Sequence, residues 1–273
     1  MEVNRVTSAS RTSRLALRIL ALAYLAALLA IPVAMVFYRT FEQGIAPAWE
    51  AVTAPAAQHA FWLTLTMVAI AVPLNTIFGI GVALALVRGR WRGKTIVSAI
   101  IDLPFAVSPV VVGLALILVY GNKGWIGTWF ADQGVRIIFS TPGMVLATIF
   151  VSLPFVVREV VPVLRELGTE QEDAASTLGA TPVQTFLRIT LPAIRWGVAY
   201  GVILTTARAL GEFGAVAVVS GKIEGQTETA TLFVEQRFQA FDLTGAYAAA
   251  VVLALMALAV IGTMTLLDRR KED

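Results

Sequence analysis

A chain of 273 residues in which 58% are apolar and only 14% are charged is too hydrophobic for an ordinary soluble domain. The formal net charge is only +3, so the basic pI of about 9.4 does not indicate nucleic-acid binding. The absence of cysteine excludes disulfides and thiol chemistry. The composition therefore predicts an all-α membrane protein, because a chain in lipid must pair its backbone groups internally.

Six apolar segments, each about as long as one membrane crossing, divide the chain. The first contains the uncharged run Ile19–Tyr38, which is longer than the core of a cleavable signal. The spans are predicted at about 15–38, 61–87, 96–120, 137–157, 194–219 and 243–267. The predicted organisation is a tail (1–14), a first membrane helix with an outward link (15–59), a transmembrane domain (60–267) and a second tail (268–273).

The basic residues are distributed unevenly between the two faces. If both tails, Arg18 at the start of the first span, the turn at 88–94 and the segment 158–195 share one face, that face holds 15 of the 21 basic residues. The positive-inside rule then makes this face and both termini cytoplasmic. The stretch GRWRGKT at 89–95 ends like a phosphate-binding loop, but only three residues separate its glycines where that loop has four. We therefore interpret it as a basic cytoplasmic turn.

The segment 169–192 is polar and predicts two short helices. Thr169 followed by Glu172 predicts a capping box, and Gly179 supplies the left-handed residue that ends the first helix. Three acidic residues complement the positive end of this helix: Glu170, Glu172 and Asp173.

The second short helix begins with Thr181 as its N-cap, followed by Pro182 and Gln184, and is predicted to end at Pro192. Helices of this length are marginal in water, so both need a surface to pack against. Their apolar residues could meet the chain's own membrane helices on one side and a partner protein on the other: Ala174, Ala175, Leu178, Val183, Phe186, Leu187 and Ile189.

Two features interrupt the apolar spans. Arg208 and Glu212 stand one helical turn apart within the fifth, where a single charge costs roughly 3 kcal/mol, so we expect them to pair. Their role is either an internal ion pair that fixes helix packing or a lining of the conduction path. In the third span, Ser108 and Pro109 mark either a break that borders a transport site or an ordinary proline kink. Of the two, we favour the proline kink. Asp102 is expected near the cytoplasmic end with a basic partner.

The polar segment also resembles a known signature. Asp173-Ala174-Ala175, three residues, Gly179, nine residues and Ile189-Thr190-Leu191-Pro192 resemble the cytoplasmic coupling loop of ABC importer permeases, with Asp173 in place of the usual Glu. The resemblance implies a type I (MetI-like) permease of six helices that is driven by ATP bound elsewhere. It implies these ATPase-coupling residues: Glu170, Glu172, Asp173, Ala174, Ala175, Leu178, Gly179, Ala180, Phe186, Leu191 and Pro192.

Other stretches resemble the sulfate/thiosulfate and molybdate branch of that family, in particular 101–114, 207–216 and 219–229. The resemblance implies a permease subunit of a bacterial inner-membrane sulfate importer, without catalytic residues, metal or cofactor of its own. ATP and Mg would be bound by two copies of a CysA-like subunit. The other implied partners are a CysT-like second permease and an external sulfate/thiosulfate-binding protein, with no nucleic acid.

Arg208 is the best candidate for attracting the anion. The implied pathway or gate residues are Ser108, Thr205, Thr206, Arg208, Glu212 and Phe213. A molybdate or tungstate importer remains an alternative. So do two other classes, an ATP-independent anion channel or carrier and a membrane scaffold without transport.

Overall fold

The computed structural model describes the backbone of residues 11–272 and the side chains of residues 15–263. Within that part of the chain all regular structure is helical. Four helices are long and apolar enough to cross a membrane, and two bent pairs of helices raise the number of candidate spans to six. The expected all-α architecture is therefore confirmed, and the expected six spans result when each bent pair is counted as one crossing.

The helices follow one another with short connections. The first half comprises α1 (Leu15–Phe41), α2 (Ile45–Thr53), α3 (Pro55–Val87), α4 (Lys94–Ala106), α5 (Pro109–Tyr120) and α6 (Gly127–Asp132). The second half comprises α7 (Thr141–Leu167), α8 (Glu170–Thr177), α9 (Pro182–Ala193), α10 (Arg195–Leu210), α11 (Gly214–Val219), α12 (Ala230–Gln239) and α13 (Leu243–Glu272).

The centre of the chain is the contact of α7 with α3 and α10. A Cβ atom on Gly79 would lie 2.7 Å from the Val156 Cβ, and one on Gly201 would lie 2.8 Å from the Val156 Cα. Because neither glycine has a side chain, both helices approach α7 closely at the same level. Nearby, the buried Asn75 amide donates to the Ser152 hydroxyl at 2.9 Å, which fixes α3 against α7 by a polar contact as well.

The fourth span is longer than its uncharged sequence. We predicted it at 137–157, whereas α7 begins at Thr141 and continues past Arg158 to Leu167. The charge does not end the helix, because the Arg158 guanidinium reaches across to the Asp102 carboxylate on α4. The uncharged run thus marks the part suited to lipid and not the length of the helix.

The third span is broken between α4 and α5, which meet at 114°. Val107 and Ser108 are extended, with ψ angles of 135° and 133°. Residues before a proline avoid the helical region, and two successive extended residues turn the chain fully away from its first direction. The favoured interpretation of an ordinary proline kink is therefore wrong.

The polar segment joins the fifth span at a second bend, of 69° between α9 and α10. We expected Pro192 to end the second short helix, but the helix continues to Ala193 and the bend falls at Ile194. A π turn at Phe186–Thr190 precedes the proline, and the Leu191 amide bonds back to the Phe186 carbonyl. This wider turn accommodates a residue that lacks an amide hydrogen.

Candidate coupling loop and membrane ion pair

The local signals of the polar segment are confirmed in part. Gly179 has φ +85°, the left-handed conformation expected at the end of α8. The capping box that begins α9 is formed, with the Thr181 amide donating to Gln184 at 2.9 Å and the Gln184 amide donating to Thr181 at 3.3 Å. The capping box predicted at Thr169 is wrong, because the Thr169 side chain accepts no capping hydrogen bond.

Glu172 has a different set of partners. Its carboxylate accepts from the Arg88 Nε at 2.8 Å and from the Thr190 hydroxyl at 2.8 Å. Arg88 also donates to the Leu164 carbonyl at 3.1 Å and the Gly168 carbonyl at 2.5 Å. The two charged side chains are about one-fifth exposed. This Arg88 clamp therefore connects the end of α3, the end of α7 and both helices of the polar segment.

The apolar residues of the segment divide between two faces. Ala175, Phe186 and Ile189 are half-buried. Leu178 is 88% exposed and Val183 66% exposed. The sequence-predicted coupling residues follow the same division: Glu170, Asp173, Ala174, Leu178, Gly179 and Pro192 are exposed, and Glu172, Ala175, Ala180, Phe186 and Leu191 are half-buried. The chain thus leaves large apolar side chains uncovered on one side of a polar segment.

The expected pairing of Arg208 with Glu212 is confirmed, with 2.6 Å between nitrogen and oxygen. The two residues do not share a continuous helix, because α10 ends at Leu210. The Glu212 carboxylate also accepts a hydrogen bond from the Ala215 amide at 2.9 Å, and the backbone carbonyl of Glu212 accepts one from the Thr231 hydroxyl at 2.8 Å. Glu212 therefore joins the end of α10 to the start of α11 and to α12.

The exposure of this pair is asymmetric, since the side chain of Glu212 is 1% exposed and that of Arg208 30% exposed. The Glu212 side chain is thus buried in the protein, whereas part of the Arg208 side chain lies at its surface. Such a buried charge is tolerated because it is both paired and hydrogen-bonded.

The breaks in the third and fifth spans lie against one another. A Cβ atom on Gly214 would lie 3.0 Å from the Pro109 Cβ, and one on Gly113 would lie 2.9 Å from the Ala215 carbonyl oxygen. Ser108 and Phe213, the residues just before these contacts, are both exposed. The structure therefore brings together the two interruptions that the sequence placed in separate spans.

The two threonines proposed for the pathway differ in position. Thr205 is fully buried and donates to the Gly201 carbonyl at 2.7 Å. Thr206 is half-buried and donates to the Val202 carbonyl at 2.7 Å. Both hydroxyl protons are thus used within α10.

Asp102 has the basic partner expected of it. Its carboxylate accepts the Arg158 Nε at 2.8 Å, and a second guanidinium nitrogen of Arg158 contacts the other oxygen. The pair connects α4 to α7 near the end of α7 that carries the Arg88 clamp.

Sequence reasoning missed a buried acid in the link between α11 and α12. Glu228 is 1% exposed, and neither carboxylate oxygen has a hydrogen-bond partner among the described residues. Burial, reinforced by the nearby Glu224 charge, raises the pKa of Glu228 to about 7. No feature of the surrounding sequence signals this burial.

Comparison with known proteins places these features in a family. Residues 75–273 match the family described as "Binding-protein-dependent transport system inner membrane component". The sulfate transport system permease protein CysW of Synechocystis sp. is 53% identical over 92% of this chain and 91% of its own length. The sulfate transport system permease protein CysT of Synechococcus elongatus is 40% identical over 87% of this chain and 86% of its own length.

A solved structure shares the fold at low sequence identity. It is a bacterial alginate ABC transporter in complex with an alginate pentasaccharide-bound periplasmic protein, whose matching chain is 19% identical with a TM-score of 0.78. The match covers 93% of each chain. This chain is a multi-pass membrane protein with the fold of an ABC importer permease, and it belongs to the family of binding-protein-dependent transport system inner membrane components.

Proposed function

We propose that this chain is a permease subunit of an ATP-driven importer that carries sulfate or thiosulfate across the bacterial inner membrane into the cytoplasm. The observation that carries the proposal is the exposed apolar face of α8 and α9, which is anchored by the Arg88 clamp to two membrane helices. The likeness to the CysW protein at 53% identity supports the choice of anion. Both termini and the polar segment would lie on the cytoplasmic side, in agreement with the distribution of basic residues.

In this proposal the polar segment couples the spans to a partner ATPase. Leu178 and Val183 would enter a groove of that partner, because they are the most exposed of the large apolar side chains in the segment. ATP and Mg²⁺ would be held by the ATPase subunits, and their closure would move α8 and α9. The Arg88 clamp would transmit this movement to α3 and α7. Coupling requires that these contacts differ in energy between the two states of the transporter.

The pathway would pass the two helix breaks. A dianion in a low-dielectric region needs donors that offset its charge, and the exposed part of the Arg208 guanidinium supplies them. The amino terminus of α5 at Ser108 adds the positive end of a twelve-residue helix beside the exposed Ser108 hydroxyl. Glu212 would hold Arg208 in place and Phe213 would stand at the gate. The buried Thr205 and the half-buried Thr206 would support α10.

The partners follow from the same proposal. Two CysA-like ATPase subunits would dock on the polar segments of this chain and of a CysT-like second permease. An external sulfate/thiosulfate-binding protein would dock on the outward links at 121–141 and 221–242. A permease for molybdate or tungstate fits the same geometry, and an ATP-independent carrier fits the ion pair but gives no role to the exposed face of α8 and α9.

Uptake of labelled sulfate and molybdate, in cells that lack this chain and cells to which it is returned, tests the proposal. We expect sulfate uptake to be restored, to stop when ATP is depleted, and to fall strongly with Arg208→Gln. Arg92→Gln is the control, because Arg92 is exposed in the turn between α3 and α4, outside the proposed pathway and docking surfaces. Uptake that continues without ATP would favour the secondary carrier, and normal uptake by the Arg208 variant would remove Arg208 from the pathway.

A further inference from the structure

A basic cavity of about 300 Å³ lies where the end of α3, the start of α4 and α7 meet. Three basic side chains line it: Lys94, Arg158 and Arg165. Two hydroxyl side chains, Thr95 and Ser98, belong to the first turns of α4 and also line it. The cavity therefore combines cations, hydroxyl donors and a helix amino terminus around one space of the size that small ligands occupy.

The charges in the basic cavity do not balance. Arg158 is paired with Asp102, the one acidic residue of the lining. Among the residues that the structure describes, the Lys94 ammonium donates only to the Val87 carbonyl, at the long distance of 3.5 Å. The Arg165 guanidinium has no hydrogen bond or ion pair among the side chains that the structure describes. Two cations thus remain for an anion, and an oxyanion with several acceptor oxygens suits them best.

The remaining surroundings are apolar. The base of the cavity is formed by Leu86, Ile101 and Val157, which belong to one buried cluster. On the outer side of α4 next to it, Ile96 is 67% exposed and Ile100 is 54% exposed. A free ion gains nothing from such neighbours, whereas an amphiphile places its charged head at the cations and its hydrocarbon along α4.

We infer that the basic cavity binds the phosphate headgroup of an anionic phospholipid, with Lys94 and Arg165 as its charged contacts and Thr95 and Ser98 as hydroxyl donors. The inference rests on the proposed orientation, which puts this end of α3, α4 and α7 at the cytoplasmic surface of the membrane. Basic pockets between membrane helices on that side are suited to anionic headgroups. The same oxyanion chemistry is offered by free phosphate or sulfate, so the test must separate lipid from dissolved ion.

The experiment uses the assembled transporter with its partner permease and ATPase subunits, placed in nanodiscs of phosphatidylcholine and phosphatidylglycerol in equal parts. Native mass spectrometry then counts the phosphatidylglycerol retained on the released complex. Lys94→Gln combined with Arg165→Gln removes the two unbalanced cations. The matched control is Arg90→Gln with Arg92→Gln, which removes two charges from the same turn, where both side chains are exposed and outside the cavity lining.

We expect the unmodified complex to retain phosphatidylglycerol at this site, the Lys94 and Arg165 variant to bind it at least about tenfold more weakly, and the control to bind it within about twofold. Equal losses in variant and control would overturn the site, because attraction to a basic surface would then suffice. Retention of no lipid by the unmodified complex would overturn it as well.

A second arm uses inorganic phosphate with the delipidated complex. Protection against thermal unfolding by phosphate as strong as that by phosphatidylglycerol, and lost with the same two residues, would assign the cavity to a free anion and overturn the lipid. None of these readouts measures transport, so failure of the proposed sulfate transport would leave the lipid result standing.

Discussion

The Arg88 clamp is the contact through which work from a partner would enter the membrane helices. Arg88→Gln removes its charge and leaves Glu172 with the Thr190 hydroxyl, at 2.8 Å, as its remaining partner. The two carbonyls at the end of α7 lose their contacts with the guanidinium in the same step. The substitution therefore separates α8 from α3 without changing any residue of the exposed face.

The magnitude follows from the burial of the pair. Hydrogen bonds to charged groups contribute about 1.5 to 3 kcal/mol when buried, whereas exposed ion pairs contribute about 0 to 1 kcal/mol. Arg88 and Glu172 are 20% and 21% exposed, so we take a value of about 2 kcal/mol for their interaction. A loss of that size raises the fraction of chains with α8 detached by roughly 30-fold.

The assay is the assembled transporter in liposomes, with labelled sulfate uptake and phosphate release measured together. We expect Arg88→Gln and Glu172→Gln each to lower the sulfate imported per ATP hydrolysed, and the double variant to be little worse than either single one, because both remove the same contact. Arg92→Gln, an exposed residue of the same turn, is the control. Unchanged uptake per ATP in Arg88→Gln, or fully additive effects in the double variant, would refute the role of the clamp.

Three further predictions concern other parts of the chain. Gly79→Ala should lower the free energy of unfolding by about 1 to 3 kcal/mol and lower the melting temperature, because the new Cβ would lie 2.7 Å from Val156. Gly81→Ala on the same helix is the control and should leave the melting temperature unchanged, because its Cβ would meet nothing within 4 Å. Gly179→Asp should leave the chain in the membrane yet abolish uptake, as fractionation and transport assays would show. For Glu228, a folded pKa of about 7 against an ordinary 4.5 means that its contribution to stability is present below about pH 4.5 and lost as the pH rises through 7. Melting temperature should therefore fall over that window, and Glu228→Gln should flatten the slope; an unchanged slope would contradict the burial argument.

The parts of the structure that depend on near neighbours could be predicted from the sequence. Gly179 adopts the left-handed conformation and Thr181 forms its capping box with Gln184, because each signal acts over a few residues. The lengths of the apolar runs predict six spans, which is the number obtained when each bent pair of helices counts as one crossing. The pairing of Arg208 with Glu212 follows from the cost of a lone charge in lipid.

The parts that depend on distant residues could not be predicted. Glu172 had two possible partners, a local backbone amide and Arg88, which lies 84 positions away. Arg88 is the preferred partner because an ion pair in a partly desolvated site, with an added hydrogen bond from Thr190, stabilises the carboxylate more than an exposed capping hydrogen bond would. The sequence predicted too small a bend at Ser108 for the same reason, since the bend angle depends on how the start of α5 packs beside Gly214 in another span.

The position of the membrane ion pair bears on the two roles that the sequence left open. A pair that only fixed helix packing would be favoured with both members buried, and apolar residues of similar size would often serve as well. Here the buried Glu212 carboxylate is paired with Arg208 and accepts the Ala215 amide, while the Arg208 side chain is 30% exposed beside two helix breaks. Fixing the packing accounts for Glu212 and leaves the exposure of Arg208 unexplained, whereas attraction of an anion accounts for Arg208 and uses Glu212 to hold it. The two roles thus belong to opposite members of one pair, which is why Arg208→Gln is expected to reduce uptake with less loss of stability than Glu212→Gln.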